Sequence, residues 1–275
     1  MDIKCDICFH SCKLKEGETG RCGARQNLNG ENFPLNYGRM TALSLELIEK
    51  KPFMRYMPDT LVLSYGSFGC NLSCAYCVNY TISQPTDISS YTNYLSPKQL
   101  AELALSYKQN DCIGVAFTYN EPLITPEYII DTAKHLHDNG MKVLVKTNGA
   151  LTDSAADEVL EYIDAVNVDL KCFTEEGYKS LGGDLRSVKR FIIKANKRCH
   201  TEITALIVPG FNDSEDEICR MSEWIANISE EIPLTVSRFL PAHRMNETPP
   251  AEPFKIFRAA QIAKESLKYV YTSNC

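Results

Sequence analysis

From Leu61 onward, short runs of consecutive apolar and β-branched residues alternate with stretches of helical period. Strand-like runs fall at 61–65, 113–118, 142–146, 164–169, 202–208 and 234–239. Between them, apolar residues recur at spacings of three and four near 97–109, 126–139, 153–163, 187–197, 214–228 and 253–267, the mark of amphipathic helices. Ser96-Pro97 and Thr125-Pro126 read as helix starts and Asn139-Gly140 as a stop. Repeated strand–helix units predict an α/β fold with a parallel sheet covered by helices. A partial (β/α)6 barrel and a doubly wound sheet share this local pattern. In a parallel barrel, polar residues at the C-terminal strand ends converge on one rim.

Before Leu61 the pattern changes, dividing the chain into a Cys-rich N-terminal module (1–60) and the α/β unit (61–275). Cys5, Cys8, Cys12 and Cys22 are spaced x2, x3 and x9, with Gly20 just before the last. Four thiolates can close a tetrahedral site for zinc or an iron–sulfur cluster. Reduced thiols in a loop-rich cap are the alternative. Residues 26–60 read as short β segments with turns at Asn29-Gly30 and around Tyr37-Gly38. The run Glu49-Lys50-Lys51-Pro52 reads as a solvated or interface surface.

Composition narrows the class. A net charge of −6 over 275 residues gives no basic surface for nucleic acid. No apolar run approaches membrane-spanning length, and the N-terminus lacks a signal-peptide core, so no membrane partner is expected. Seven of the 12 cysteines fall in two clusters with ligand spacing, which fits metal binding in a reducing cytoplasm.

The second cluster is Gly69-Cys70-Asn71-Leu72-Ser73-Cys74-Ala75-Tyr76-Cys77, directly after the first strand. C-x3-C-x2-C brings Cys70, Cys74 and Cys77 to one centre, and thiolates are the soft ligands that iron–sulfur clusters select. A 4Fe-4S cluster takes four cysteines, and the loop has no fourth, so one iron would be open to a small molecule. Later strands end in Thr118-Tyr119-Asn120-Glu121-Pro122, Lys146-Thr147-Asn148-Gly149, Asn167-Val168-Asp169-Leu170-Lys171, Leu206 to Asp213, and Ser237 to His243.

With Tyr76 before its last cysteine, this motif resembles the signature of radical S-adenosylmethionine (SAM) enzymes. The resemblance implies a partial (β/α)6 TIM-like barrel and a 4Fe-4S cluster whose open iron is chelated by SAM. Reductive cleavage of SAM then yields a 5′-deoxyadenosyl radical that abstracts hydrogen. Asn120-Glu121 resembles the element that binds the SAM amino group, with both of its glycines replaced. Asp169-Leu170-Lys171 resembles an element of glycyl-radical activating enzymes in which the Asp helps hold a cation beside SAM and the Lys lies near the substrate radical. Lys146 replaces a carboxylate of that cation site and is expected to pair with Asp169 or with the SAM carboxylate. Val208 lies in the element that packs on adenine, and His243 matches a SAM-bonding histidine. Tyr76, Asn120, Glu121, Thr147, Asn148, Asp169, Val208 and His243 are thus expected at the cofactor, and Cys70, Cys74, Cys77 and Lys171 in catalysis.

Across nearly the whole chain the resemblance is closest to the radical SAM member of the AmmeMemoRadiSam system, a group related to pyruvate formate-lyase activating enzyme. It implies an electron donor such as flavodoxin or ferredoxin and a protein glycine as substrate. Radical modification of a small molecule or of another peptide side chain is the alternative. A non-catalytic iron–sulfur electron carrier and a zinc-dependent binding module remain as other classes.

Overall fold

The computed structural model describes residues 1–85, 87–90 and 93–275. Its centre is an open eight-stranded sheet. Two small hairpins precede it, β1 (Ile3–Lys4) with β2 (Lys13–Leu14) and β3 (Arg25–Leu28) with β4 (Glu31–Pro34). Asn29 and Gly30, both at positive φ, make the expected tight turn of the second hairpin. The sheet strands follow as β5 (Ala42–Leu47), β6 (Leu61–Gly66), β7 (Cys112–Phe117), β8 (Lys142–Thr147), β9 (Ala165–Asp169), β10 (His200–Ile207), β11 (Leu234–Arg238) and β12 (Val270–Ser273). They lie side by side in chain order. β6 to β12 run parallel, while β5 is hydrogen-bonded antiparallel to β6 at one edge.

Helices connect the parallel strands: α1 (Tyr80–Ser83), α2 (Pro97–Ser106), α3 (Pro126–His137), α4 (Asp153–Val159), α5 (Glu175–Ser180), α6 (Leu185–Ala195), α7 (Glu215–Ile228) and α8 (Pro253–Ala263). Ser96 caps α2 with a full capping box, and Ser214 caps α7 through Glu217 N. Among the described residues no helix is long and apolar enough to cross a membrane. The six expected strands and the long helices stand where the periodicity put them. Besides the four-residue α1, three elements of the sheet and its connections were not foreseen. β12 and α5 are four and six residues long, below the length at which a period shows. β5, from the segment before residue 61, joins the main sheet rather than a separate hairpin.

Side-chain alternation gives the sheet two different faces. Leu63, Val115, Val143, Val145 and Val166 face the helices and form the large core with Leu100, Ile129, Leu136, Val188 and Ile225. Val62, Ala116, Leu144 and Ala165 face the concave side, where a smaller core closes over Ile48 and Phe53. The chain after β5 therefore crosses the barrel interior. Glu202 accepts hydrogen bonds from Met54 N (2.7 Å) and Arg55 N (2.8 Å), and Asn167 Nδ2 donates to Pro52 O (2.9 Å). This corrects the reading of residues 49–52 as a solvated or interface surface. Lys50 is exposed, but Lys51 is buried and ion-paired to Glu46 at 2.5 Å. A basic run reads as surface by composition, and only the strap's path shows that one of its lysines turns inward.

Phe53 is fully buried inside the barrel. Phe53→Ala should cost about 3–5 kcal/mol in urea unfolding, because the rigid strands around it cannot collapse into the void. A cost below about 1 kcal/mol would mean that the strap does not pack as described.

Candidate active site

The cysteine loop leaves the C-terminal end of β6 without regular structure, so its backbone groups need partners from elsewhere. Asn120 Nδ2 donates to Phe68 O and Gly69 O, both at 3.1 Å, and Asn120 Oδ1 accepts from Ser67 N. Glu121 N also donates to Gly69 O. Gly69 sits at φ +90°, and a Cβ there would come within 2.7 Å of Cys22 O and 2.8 Å of Ala24 Cβ. The loop is thus pressed against the N-terminal module. Cys70 N donates to Cys22 O at 3.1 Å, and His10 Nε2 donates to Asn71 O at 2.9 Å. Farther along, Ser73 N donates to Leu181 O, while Arg244 donates through N to Ala75 O and through its guanidinium to Ser73 O.

No disulfide involves the loop thiols. Burial, reinforced by Glu121 and by Cys74 and Cys77, raises the Cys70 pKa far above the usual thiol range. Burial raises Cys74 to about 11, with the charge of Lys171 working the other way. Such thiols stay protonated alone and lose the proton to a metal. The N-terminal set is similar. Cys5, Cys8 and Cys22 are buried and Cys12 half-buried, and Cys8 is pushed up to about 12 by burial and then by Cys22, Cys5 and Cys12. Among the described residues no three His, Cys, Asp or Glu side chains stand as a closed metal cage. The donor chemistry of the β6 loop nevertheless fits an iron–sulfur cluster, with three soft thiols on one turn and no hard oxygen ligand among them.

The other strand ends meet this loop. Glu121 is buried, and its carboxylate accepts from Thr147 Oγ1 (2.6 Å), Asn148 N (2.7 Å) and Leu123 N (3.0 Å). It ties the β7 end to the β8 end, and all three donors come from the protein. Asn148 Nδ2 donates to Asn71 Oδ1 at 2.8 Å and lies 3.8 Å from Cys70 Sγ. Asp169 is gripped from both sides, by Lys146 Nζ at 2.6 Å and Lys171 Nζ at 2.8 Å. Partial burial alone would raise the Asp169 pKa, but the two ammoniums outweigh it and hold the carboxyl well below its ordinary range. The lysines shift oppositely although they share one carboxylate. Burial would lower Lys171, yet Asp169 and then Cys74 and Tyr76 drive it well up. Burial also lowers Lys146, and there it prevails over Asp169. The short ion-pair distances fit an ionised Asp169 held by both ammoniums. The pairing expected for Lys146 is therefore present in the structure.

Val208 is buried and donates its N–H to Asn212 Oδ1, while Asn212 Nδ2 donates to Lys171 O, tying the β10 loop to the β9 end. Tyr76 is buried with its hydroxyl unpartnered, its ring 6.0 Å from that of Phe211. His243 stacks on Tyr80 at 4.4 Å, and its neighbour Arg244 makes the contacts to the cysteine loop. Sequence reasoning missed Asn71, Asn212 and Arg244. Asn71 lies inside the cysteine motif and Asn212 in the β10-end segment, and an Asn in such a loop is the available signal. Arg244 carried none.

An open parallel barrel with a three-thiol loop at the end of its first parallel strand defines an enzyme built to work with an iron–sulfur cluster. The sequence matches the Radical SAM superfamily over residues 65–222, and the chain belongs to that superfamily, whose members use a 4Fe-4S cluster and SAM. An uncharacterized protein of Methanocaldococcus jannaschii is 34% identical over 99% of this chain and 81% of its own. The pyruvate formate-lyase-activating enzyme of Clostridium pasteurianum is 28% identical over 58% of this chain and 67% of its own. In fold the chain resembles SuiB of Streptococcus suis, solved bound to SAM, with a TM-score of 0.56 at 15% identity over 75% of this chain and 48% of that one.

Burial, opposed by its three hydrogen bonds, raises the Glu121 pKa from 4.5 to about 7. A carboxyl that holds its proton more tightly folded than unfolded contributes stability that is complete below the unfolded value. That contribution is lost as pH rises through the folded one. The urea midpoint should therefore fall between about pH 5 and about pH 7.5, with a shallower fall in Glu121→Gln. Equal slopes in the two proteins would place the titration elsewhere.

Proposed function

We propose that this enzyme is of the glycyl-radical activating type. Cys70, Cys74 and Cys77 hold the 4Fe-4S cluster, and its fourth iron is left for SAM. Bound there, cluster and SAM supply reductive cleavage to a 5′-deoxyadenosyl radical that takes a hydrogen atom. The observation that carries the reading is Lys171, ion-paired to Asp169 at 2.8 Å at the β9 end. The likeness to activating enzymes supports it.

In this reading the chain's own residues orient and insulate. Asn120, Asn148 and Arg244 fix the loop so that the thiols need not reorganise on loading. Glu121 and Thr147 lock two strand ends beside Cys70, and Tyr76 and Val208 line the apolar side of the cofactor. Asp169 holds Lys171 against the rim, where a peptide glycine would enter. His243 serves SAM only by leaving its stack on Tyr80, so it is the weakest member of the set. Cys5, Cys8, Cys12 and Cys22 hold a second metal, zinc or iron–sulfur, that stiffens the cap behind Cys70. A flavodoxin or ferredoxin supplies the electron, in the cytoplasm.

Anaerobic reconstitution with dithionite should give 5′-deoxyadenosine from SAM, and changing Cys70, Cys74 and Cys77 together to Ala should abolish it. A doublet radical signal on a glycyl-radical protein from the same genome, formed only with this enzyme and SAM, would establish the substrate class. Unchanged 5′-deoxyadenosine from the triple variant would refute the loop assignment.

A further inference from the structure

The concave side of the barrel carries a basic cluster beyond the cysteine loop. Lys146 and Lys171 share Asp169, and Lys51, from the strap, pairs with Glu46. One hydrogen-bonded path joins the two pairs, because Asn167 donates to the carbonyl of Pro52, next to Lys51, and accepts from Lys146 Nζ at 2.9 Å. Lys51 and Lys171 both press on the charge of Lys146. Three ammoniums here face two carboxylates. Of the nearby acids, Glu202 spends its oxygens on the Met54 and Arg55 amides and on His200. Glu121 bonds Thr147, which points to the opposite face of β8 from Lys146.

Donors are also left over. Among the described residues Lys171 Nζ hydrogen-bonds only Asp169, and the buried hydroxyl of Thr235 has no partner. Lys146, Asp169 and Lys171 keep side-chain exposures of 21%, 24% and 18%, so solvent reaches them, whereas Lys51 keeps 8%. Tyr119 adds a sign of function. It is bulky yet holds φ +73°, and a Cβ on Gly66 would meet its ring at 2.7 Å. This posture lays the ring 4.4 Å from Lys51 Nζ and sends its hydroxyl to Glu46 at 3.0 Å. An excess of positive charge and unspent donors in a half-buried basin is costly unless an anion completes it.

We propose that this basin binds an anionic group of the substrate, a carboxylate or a phosphate, with Lys51 and Lys146 as its ammonium partners and Tyr119 positioning Lys51. The proposal rests on the radical SAM reading above for what happens to that substrate, but the binding itself needs no chemistry. Lys51 lies on the strap rather than on a strand end, whereas Lys146 also pairs with Asp169, a residue expected at the cofactor, so competition with SAM is part of the test.

Calorimetric titration of the reconstituted protein with glutarate and with inorganic phosphate, at ionic strength held by sodium chloride, tests it. Saturable binding of at least one anion is expected, and which one binds names the source. Lys51→Met should weaken it at least tenfold. Glu46→Gln, which removes a competing carboxylate, should tighten it, whereas a purely structural role would make both variants weaker. No binding above the chloride control, weakening in both variants, or displacement of the anion by SAM would overturn the proposal. Binding that follows the expected pattern in a protein that does not cleave SAM would sink the activating-enzyme reading and leave this one standing.

Discussion

The structure depends on one constraint: an irregular loop that carries three thiols needs partners for its backbone polar groups from elsewhere in the chain. Carbonyls of Phe68, Gly69, Asn71, Ser73 and Ala75 all accept from residues outside the loop, and the amides of Cys70 and Ser73 donate to Cys22 and Leu181. Each such bond is worth about 1 kcal/mol net, but leaving a buried one unmade costs about 1–3 kcal/mol. The N-terminal module, the β7 and β8 ends, the segment after α5 and the loop after β11 each give donors or acceptors to this turn. Their packing on the barrel follows from that common obligation.

Electrostatics adds a second layer. Asp169 draws two lysines to the rim, one from its own loop and one from the strand beside it. Where the resemblance to activating enzymes places a carboxylate, this chain has Lys146, whose ammonium pairs with Asp169. The same substitution raises the basicity of the barrel interior, which the strap then extends through Lys51. A polar path in the interior runs from Lys171 through Asp169, Lys146 and Asn167 to Pro52.

Much of this was legible in the sequence, and the exceptions have physical causes. The parallel strands announced themselves as apolar runs because helices and strap cover both faces. The C-x3-C-x2-C loop and the polar strand ends were visible because chemistry clusters there. Lys146 could be matched to Asp169 or the SAM carboxylate through the resemblance to activating enzymes, and neighbouring parallel strands do place the two side by side. The strap could not be read, since Phe53 and Lys51 turn inward through long-range bonds to Glu202 and Asn167 that no local period encodes. Arg244 was hidden for a like reason: it lies 171 residues from the Ser73 carbonyl it serves. Glu121 was legible as important but not in its bonding, since all three of its donors are the protein's own.

The central claim is that the β6 loop presents a cluster with one iron left for SAM. Electron–nuclear double resonance on the reduced protein, with SAM labelled by 15N at its amino group and 17O at its carboxylate, addresses that directly. Coupling of both labels to the cluster spin is the predicted result. A cluster signal that shows neither coupling at saturating SAM would contradict the account.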